Sequence, residues 1–109
     1  MDLKTLIKKY QEAFNNQDID KLSELFSDDI FLKDWDRCVT GKDNALEENK
    51  KIFTSVESIK VKTLNEYFLE NTAICVLKIH INNNEMIDVV DIIEVDKDKK
   101  ISSIVAYKG

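Results

Sequence analysis

Hydrophobic residues change their spacing along the chain, from helical periodicity in the first half to strand alternation in the second. Apolar positions recur every three or four residues from Leu3 onwards, which predicts a first helix over residues 3–14. After polar residues 15–17, Asp18 can cap a short second helix that ends at residues 27–29. The apolar residues of this second helix are Ile19, Leu22, Leu25 and Phe26.

Residues 30–35 predict a strand, and a third helix follows it. Thr40 and Asp43 resemble a capping box, with Asp in place of the usual Glu. Asn49 lies on the apolar face of this helix. The other residues of that face are Ala45, Leu46, Ile52 and Phe53.

After Ser55 the period becomes two, which is typical of strands. The predicted strands span residues 59–63 (with a continuation or bulge over 65–68), 73–81, 86–95 and 101–107. Polar turns at 82–84 and 96–99 join the last three. The order predicts an α+β fold with an antiparallel sheet rather than a βαβ arrangement.

The strand of residues 86–95 is apolar on both of its faces. Val89 and Ile93 share one face, and Val90 and Ile92 share the other. Helices can cover only one face of such a sheet, so the other needs a second cover. A second copy of the chain fits this need, and we predict a homodimer through the outer sheet face.

Composition narrows the classes of function. The length of 109 residues predicts one domain, over residues 1–109. The net charge of -5 and short basic runs argue against nucleic acid as a partner. We expect no membrane span, and a cytoplasmic location, because no secretory segment or long apolar run occurs. In that compartment Cys38 and Cys75 are expected to be free thiols.

Asp91 is the most informative polar residue, since it interrupts an aliphatic strand between Val90 and Ile92. Burial disfavours an ionised carboxyl, and a neutral one can donate a hydrogen bond to a developing oxyanion. The structural alternative is a strand aspartate bonded to a nearby donor or to water.

Asp34 and Tyr10 are the other candidates. Asp34 ends the first predicted strand beside Trp35, where a carboxylate can act as a general base. Its alternative is a solvated aspartate paired with Lys33 or Arg37. Tyr10 lies on the apolar stripe of the first helix and is either an oxyanion donor or a core tyrosine.

Other polar residues do not form a recognisable site. His80 is the only histidine, and it shares a strand face with Lys78, so we expect a solvent-facing or ladder position for it. The turn carboxylates lack the pattern of a calcium loop, and the two cysteines do not make a zinc set. The sequence therefore predicts no metal and no organic cofactor.

Several stretches together resemble a known family. They are YQEAFNNQD at residues 10–18, LFSDD at 25–29, GKDNA at 41–45, VDIIEV at 90–95 and KISSI at 100–104. They are similar to the nuclear-transport-factor-2-like superfamily, in particular its SnoaL-like and ketosteroid-isomerase-like members. The resemblance implies a cone in which N-terminal helices pack on a curved antiparallel sheet around a hydrophobic pocket.

The resemblance also implies roles for three residues. Ketosteroid isomerases use an aspartate base, with a tyrosine and a protonated aspartate as oxyanion donors. On this chain the base falls on Asp34, and the donors fall on Tyr10 and Asp91. The implied ligand-binding residues are Phe14, Trp35, Val89 and Ile93.

The chain departs from the isomerases near the implied pocket mouth. Trp35 stands where they usually have proline, and the segment 34–41 is shorter. A ligand smaller than a steroid is therefore expected.

The predicted function is cofactor-free proton transfer, an isomerisation, on a small apolar carbonyl compound. The alternative is a non-catalytic ligand-binding or dimerisation module of the same fold.

Overall fold

Three helices and six strands make up the fold of the protein, which a computed structural model describes over residues 2–109. The helices are α1 (Leu3–Asn15), α2 (Ile19–Leu25) and α3 (Lys42–Ser55). The strands are β1 (Phe26–Lys33), β2 (Cys38–Thr40), β3 (Ile59–Leu69), β4 (Thr72–Ile81), β5 (Glu85–Val95) and β6 (Ile101–Lys108). The predicted α+β class is confirmed.

The strands form one mixed sheet in the order β2-β1-β6-β5-β4-β3. All neighbours are antiparallel except β1 and β6, which run parallel. The prediction of a wholly antiparallel sheet is therefore wrong at this pair. A hairpin imposes opposite directions on its two strands, but most of the chain separates β1 from β6, so no turn constrains their directions.

Aspartates begin the first two helices, as expected for α2. Asp2 Oδ1 accepts a hydrogen bond from Thr5 N at 2.8 Å, and Asp18 Oδ1 accepts one from Lys21 N at 3.0 Å.

The capping box predicted at Thr40 is wrong. Gly41 is the N-cap of α3, with a φ of 98° and no side-chain cap bond. Glycine tolerates this backbone conformation because it has no Cβ.

The first strand begins earlier than its sequence pattern predicts. Residues 27–29, expected to end α2, lie within β1, and Phe26 is 1% exposed and pairs with Ile101. Pairing with β6 thus overrides the local signal, as tertiary contacts often do. The strand stops at Lys33 because the next residue, Asp34, starts a turn.

The later strands match the predicted pattern closely. Asn82 and Asn83 have φ values of 53° and 64°, so asparagine supplies the left-handed turn between β4 and β5. The register of β3 against β4 shifts between Thr63 and Asn65. The predicted continuation of this strand with a bulge is therefore confirmed.

The helices pack on one face of the sheet and form the core with it. Asn15, at the end of α1, fixes the position of this helix on β3. Its Oδ1 accepts from Val61 N at 2.7 Å, and its Nδ2 donates to Val61 O at 3.1 Å. This two-point contact sets which side chains of α1 face the inner surface of the sheet. The fully buried large side chains are Leu6, Ile7, Leu22, Phe26, Ile30, Leu77, Ile93 and Ile101.

The opposite, outer face of the sheet carries two apolar rows. Cross-strand pairing aligns Ile74 with Ile92 and Val105, and it aligns Val76 with Val90 and Tyr107. We call these six residues the outer apolar patch. All six are at least partly exposed, and Tyr107 is 59% exposed.

Among residues 2–109, none of the helices has the length and apolar character needed to cross a membrane.

Candidate active site

A cavity of about 350 Å³ lies between the helices and the inner face of the sheet. Its volume is at the lower end of the range for small-molecule sites. Apolar side chains from the middle strands form much of its wall, and a few polar groups interrupt them. Its lining includes Leu77, Ile79, Ile87, Val89, Ile104 and Ala106.

Asp91 places a carboxyl in this apolar wall. Register pairs it with Cys75 on β4 and with Ala106 on β6, so it points to the inner face. Burial, with a smaller contribution from the negative charge of Asp34, raises the pKa of Asp91 from 3.8 to about 7. A substantial share of this carboxyl is therefore protonated at neutral pH.

Asp34 contributes a second carboxyl of a different character. Its Oδ1 accepts from the backbone N–H groups of Asp36 at 2.8 Å and Arg37 at 2.9 Å. Its Oδ2 accepts from Arg37 Nη1 at 2.7 Å, and this ion pair lies in the cavity lining. Arg37 Nε also lies 3.5 Å from Glu48 Oε2, which ties the turn to α3. Asp34 is thus a carboxylate with a fixed orientation.

Tyr10 reaches the cavity from α1. It is 8% exposed, and its ring lies 6.2 Å from that of Phe26. Burial, together with the charge of Asp91, raises the pKa of Tyr10 above its usual value. The hydroxyl therefore remains a neutral hydrogen-bond donor.

Burial likewise raises the pKa of Cys75 to about 12, so this thiol is not a ready nucleophile.

The structure brings most of the predicted site residues to one cavity. Tyr10, Asp34 and Asp91 all line it. The predicted ligand-binding residues Phe14, Trp35 and Val89 line it as well. Ile93 does not, because it is fully buried in the core beside the cavity.

Aromatic residues shape two parts of the cavity wall. The rings of Phe14 and Phe53 meet edge to face at 5.1 Å and join α1 to α3. Trp35 is 42% exposed, and Lys108 Nζ lies 5.8 Å from the centre of its ring. The β1–β2 turn and the end of β6 therefore meet beside the carboxylate of Asp34.

Sequence reasoning missed several polar residues of the lining, among them Gln11 and Arg37, and left the position of Asn49 unexplained. Gln11 and Arg37 are polar residues next to predicted site residues, but no spacing rule shows that they face the cavity. Asn49, which the helical pattern placed on an apolar face, is 4% exposed, and its Nδ2 donates to Ala45 O at 2.9 Å. This bond allows an amide to sit on the buried face.

The two carboxyls are suited to opposite parts of a proton transfer. A carboxylate accepts a proton, and a neutral carboxyl donates a hydrogen bond or a proton. In the described part of the chain, no three His, Cys, Asp or Glu side chains are grouped so that they could hold a metal ion.

Comparison with known proteins identifies the fold. A family model described as a SnoaL-like domain matches residues 7–104. An NTF2-like protein of unknown function from Cytophaga hutchinsonii superposes with a TM-score of 0.86 at 13% identity, covering 100% of this chain and 91% of that one. None of the curated proteins matches in sequence.

Two further structural neighbours have descriptions that name an activity. A proposed ketosteroid isomerase from Kribbella flavida has a TM-score of 0.83 at 15% identity, over 96% of this chain and 76% of that one. An LEH-like epoxide hydrolase from M. tuberculosis has the same TM-score and identity, over 96% and 80%. At such identities the likeness shows a common fold.

Proposed function

Because this chain belongs to the SnoaL-like domain family, we propose that its cavity binds a small carbonyl compound and catalyses proton transfer on it without a cofactor. The observation that carries the proposal is the contrast between the two carboxyls. Asp34 is ion-paired with Arg37, while burial and the charge of Asp34 raise the pKa of Asp91 to about 7. Two carboxyls with such different surroundings within one cavity indicate an acid–base pair.

The mechanism is an isomerisation through an enolate. Asp34 removes a proton from the carbon next to the carbonyl group, and the electron pair of the broken C–H bond moves onto the carbonyl oxygen. The neutral Asp91 and the Tyr10 hydroxyl hold that oxygen by hydrogen bonds. In a substrate with a carbon–carbon double bond at the β,γ position, Asp34 then returns the proton to the γ-carbon of the dienolate. The electron pair on oxygen re-forms the carbonyl double bond and the carbon–carbon double bond moves into conjugation, so the step balances without another reactant.

The cavity and the structural neighbours support a small-molecule substrate. A volume of about 350 Å³ favours a ligand with one or two rings over a larger one. The descriptions of neighbours name a proposed ketosteroid isomerase and an epoxide hydrolase. Both activities concern small organic molecules, and this supports the substrate class.

Phenols of graded acidity test the proposed oxyanion site, since a phenolate resembles an enolate. We expect the affinity of the wild-type protein to rise with phenol acidity in calorimetric titrations. Asp91→Leu, which is similar in size and has no hydrogen-bond donor, is expected to weaken binding of the most acidic phenol roughly 10- to 100-fold, the range for a hydrogen bond to a charged group. Asp88→Leu, on the opposite face of β5, is the matched control with unchanged binding. Affinity independent of phenol acidity would contradict the proposal.

We also propose that the protein is a homodimer through the outer apolar patch. Charges flank the patch: the row beyond one side holds Lys62, Lys78 and Asp88, with a net positive charge, and the row beyond the other side holds Glu94. An isologous contact whose two-fold axis runs across the strands would place the net positive row of one copy over the Glu94 row of its partner. This complementarity supports a second copy as the cover.

The oligomeric state checks this proposal. Wild-type protein is expected to sediment as a dimer at micromolar concentration. Val90→Lys puts a charge into the centre of the patch and is expected to produce a folded monomer, because an unpaired charge is costly to bury. Lys97→Glu, in the exposed β5–β6 turn, should leave the dimer intact. A monomeric wild type would refute the interface.

A further inference from the structure

The cavity wall contains a polar group that the proton transfer does not use. Gln11 lies on α1 next to Tyr10 and lines the cavity. Its Oε1 accepts a hydrogen bond from the Thr63 hydroxyl at 3.1 Å. Across residues 2–109, its Nε2 is the buried side-chain nitrogen or oxygen that finds no hydrogen-bond partner.

An unpartnered buried donor is unfavourable because it has lost its hydrogen bonds to water without gaining one in the protein. Rotating the amide of Gln11 by half a turn would not remove this cost. Nε2 would then donate to the Thr63 hydroxyl, and Oε1 would become the amide atom without a partner. With the hydroxyl proton of Thr63 donated to Oε1, the unused group of Gln11 is a hydrogen-bond donor at the cavity wall.

The register of the sheet places this donor apart from the acid–base pair. Thr63 on β3 pairs with Leu77 on β4, which pairs with Val89 on β5. Asp91 therefore lies two strands away from Thr63, about 10 Å across the sheet, and two residues along β5, about 7 Å. A ligand whose oxygen is held at Asp91 has to extend across the sheet to contact Gln11.

We propose that Gln11 Nε2 donates a hydrogen bond to a second polar group of the substrate. The substrate is then a carbonyl compound with another hydrogen-bond acceptor, such as a ketone, ester or ether oxygen, at the end remote from the reacting carbonyl. This inference rests on the proposed function and narrows its substrate class from purely apolar to bifunctional. Binding such a ligand satisfies the donor, and an apolar ligand of equal size leaves it unsatisfied.

Two phenols that differ at the para position test this assignment. 4-Ethylphenol and 4-hydroxyacetophenone have similar shapes, and the second adds an acceptor oxygen at the far end. We expect Gln11→Met to lower the preference for 4-hydroxyacetophenone over 4-ethylphenol by roughly 5- to 30-fold, the worth of one hydrogen bond. The two compounds differ in acidity, but that difference acts at Asp91 and cancels when variant and wild type are compared.

Two controls separate binding from structural effects. Phe14→Leu changes the shape of the same wall and is expected to alter both affinities by the same factor. Gln11→Met removes the unpartnered donor but also the acceptor of the Thr63 hydroxyl, so its stability to urea in the absence of ligand should stay close to that of the wild type. A structural role for Gln11 would instead lower stability in the variant and leave the ligand preference unchanged.

The outcomes also distinguish this inference from the proposed function. If both phenols bind and their ratio is the same in wild type and Gln11→Met, the role of Gln11 is wrong while the oxyanion site stands. If neither phenol binds wild-type protein, both proposals are wrong. Loss of the preference in Gln11→Met alone, with 4-ethylphenol binding retained, supports the assignment.

Discussion

Replacing Asp91 with asparagine is expected to make the protein more stable at pH 8 than the wild type. The wild-type carboxyl is ionised there, and its apolar surroundings and the charge of Asp34 both oppose that charge. Asparagine has the same shape without the charge. Urea unfolding of both proteins from pH 4 to pH 8 measures the difference in free energy of unfolding.

The sign and the pH window follow from the pKa of Asp91, which the folded state raises from an ordinary value of 3.8 to about 7. Between these values the folded protein keeps a proton that the unfolded chain has lost. Its stability therefore falls as the pH rises across this interval, and levels off above it. Each pH unit changes the free energy by about 1.4 kcal/mol, so the wild type loses about 4 kcal/mol relative to Asp91→Asn.

The control for this experiment is Asp88→Asn. Asp88 lies on the same strand, on the exposed face, where it pairs with Lys78 at 3.3 Å. Its stability difference from wild type should stay within about 1 kcal/mol throughout, as for other surface ion pairs. If Asp91→Asn showed an equally flat profile, Asp91 would not be a perturbed carboxyl.

Asp34→Asn is expected to slow enzyme-catalysed proton transfer by about 10²- to 10⁴-fold, the usual contribution of a positioned base. An amide cannot accept the proton. Incorporation of deuterium next to the carbonyl group of a small cyclic enone, followed by NMR in heavy water, measures the step without knowledge of the natural substrate. Wild-type protein should accelerate the exchange above the rate in buffer.

A control variant and a test of folding are needed to interpret the exchange rate of Asp34→Asn. Asp36→Asn, a neighbouring carboxyl on the same turn, should exchange at the wild-type rate, and urea unfolding should show that Asp34→Asn is folded. The Arg37 contact with Glu48 still ties the turn to α3 in that variant. Equal exchange rates in wild type and Asp34→Asn would reject the base and favour the alternative of a non-catalytic binding module.

Local patterns predicted the helices and the later strands well because their signals lie close together in sequence. The stripe from Leu6 to Tyr10, the Asp18 cap and the asparagine turn at 82–84 each depend on neighbours within a few residues. The parallel pairing of β1 with β6 could not be predicted in this way. It depends on contacts such as Leu32 with Ile104, whose partners are far apart in the chain.

Local sequence patterns were likewise sufficient for only part of the candidate site. Asp91 is conspicuous in sequence because it interrupts an aliphatic strand. Asp34 and Tyr10 are candidates from their positions in the predicted elements, and the family resemblance implies their roles. The pairing of Asp34 with Arg37 was one of the alternatives left open. The unpartnered amide of Gln11 was not foreseeable, since it depends on how α1 lies over Thr63. Helix position on a sheet is set by packing and not by local periodicity.

The most direct test of the proposed site is a carbon-13 NMR titration of the Asp91 side-chain carboxyl. Aspartate labelled at the carboxyl carbon gives one resonance per residue, and the Asp91→Asn variant identifies the signal of interest. We expect a titration midpoint near 7, because burial and the charge of Asp34 raise the pKa of Asp91 to about 7. A midpoint near 4 would mean that Asp91 is ionised at neutral pH, and it would contradict the proposed oxyanion donor.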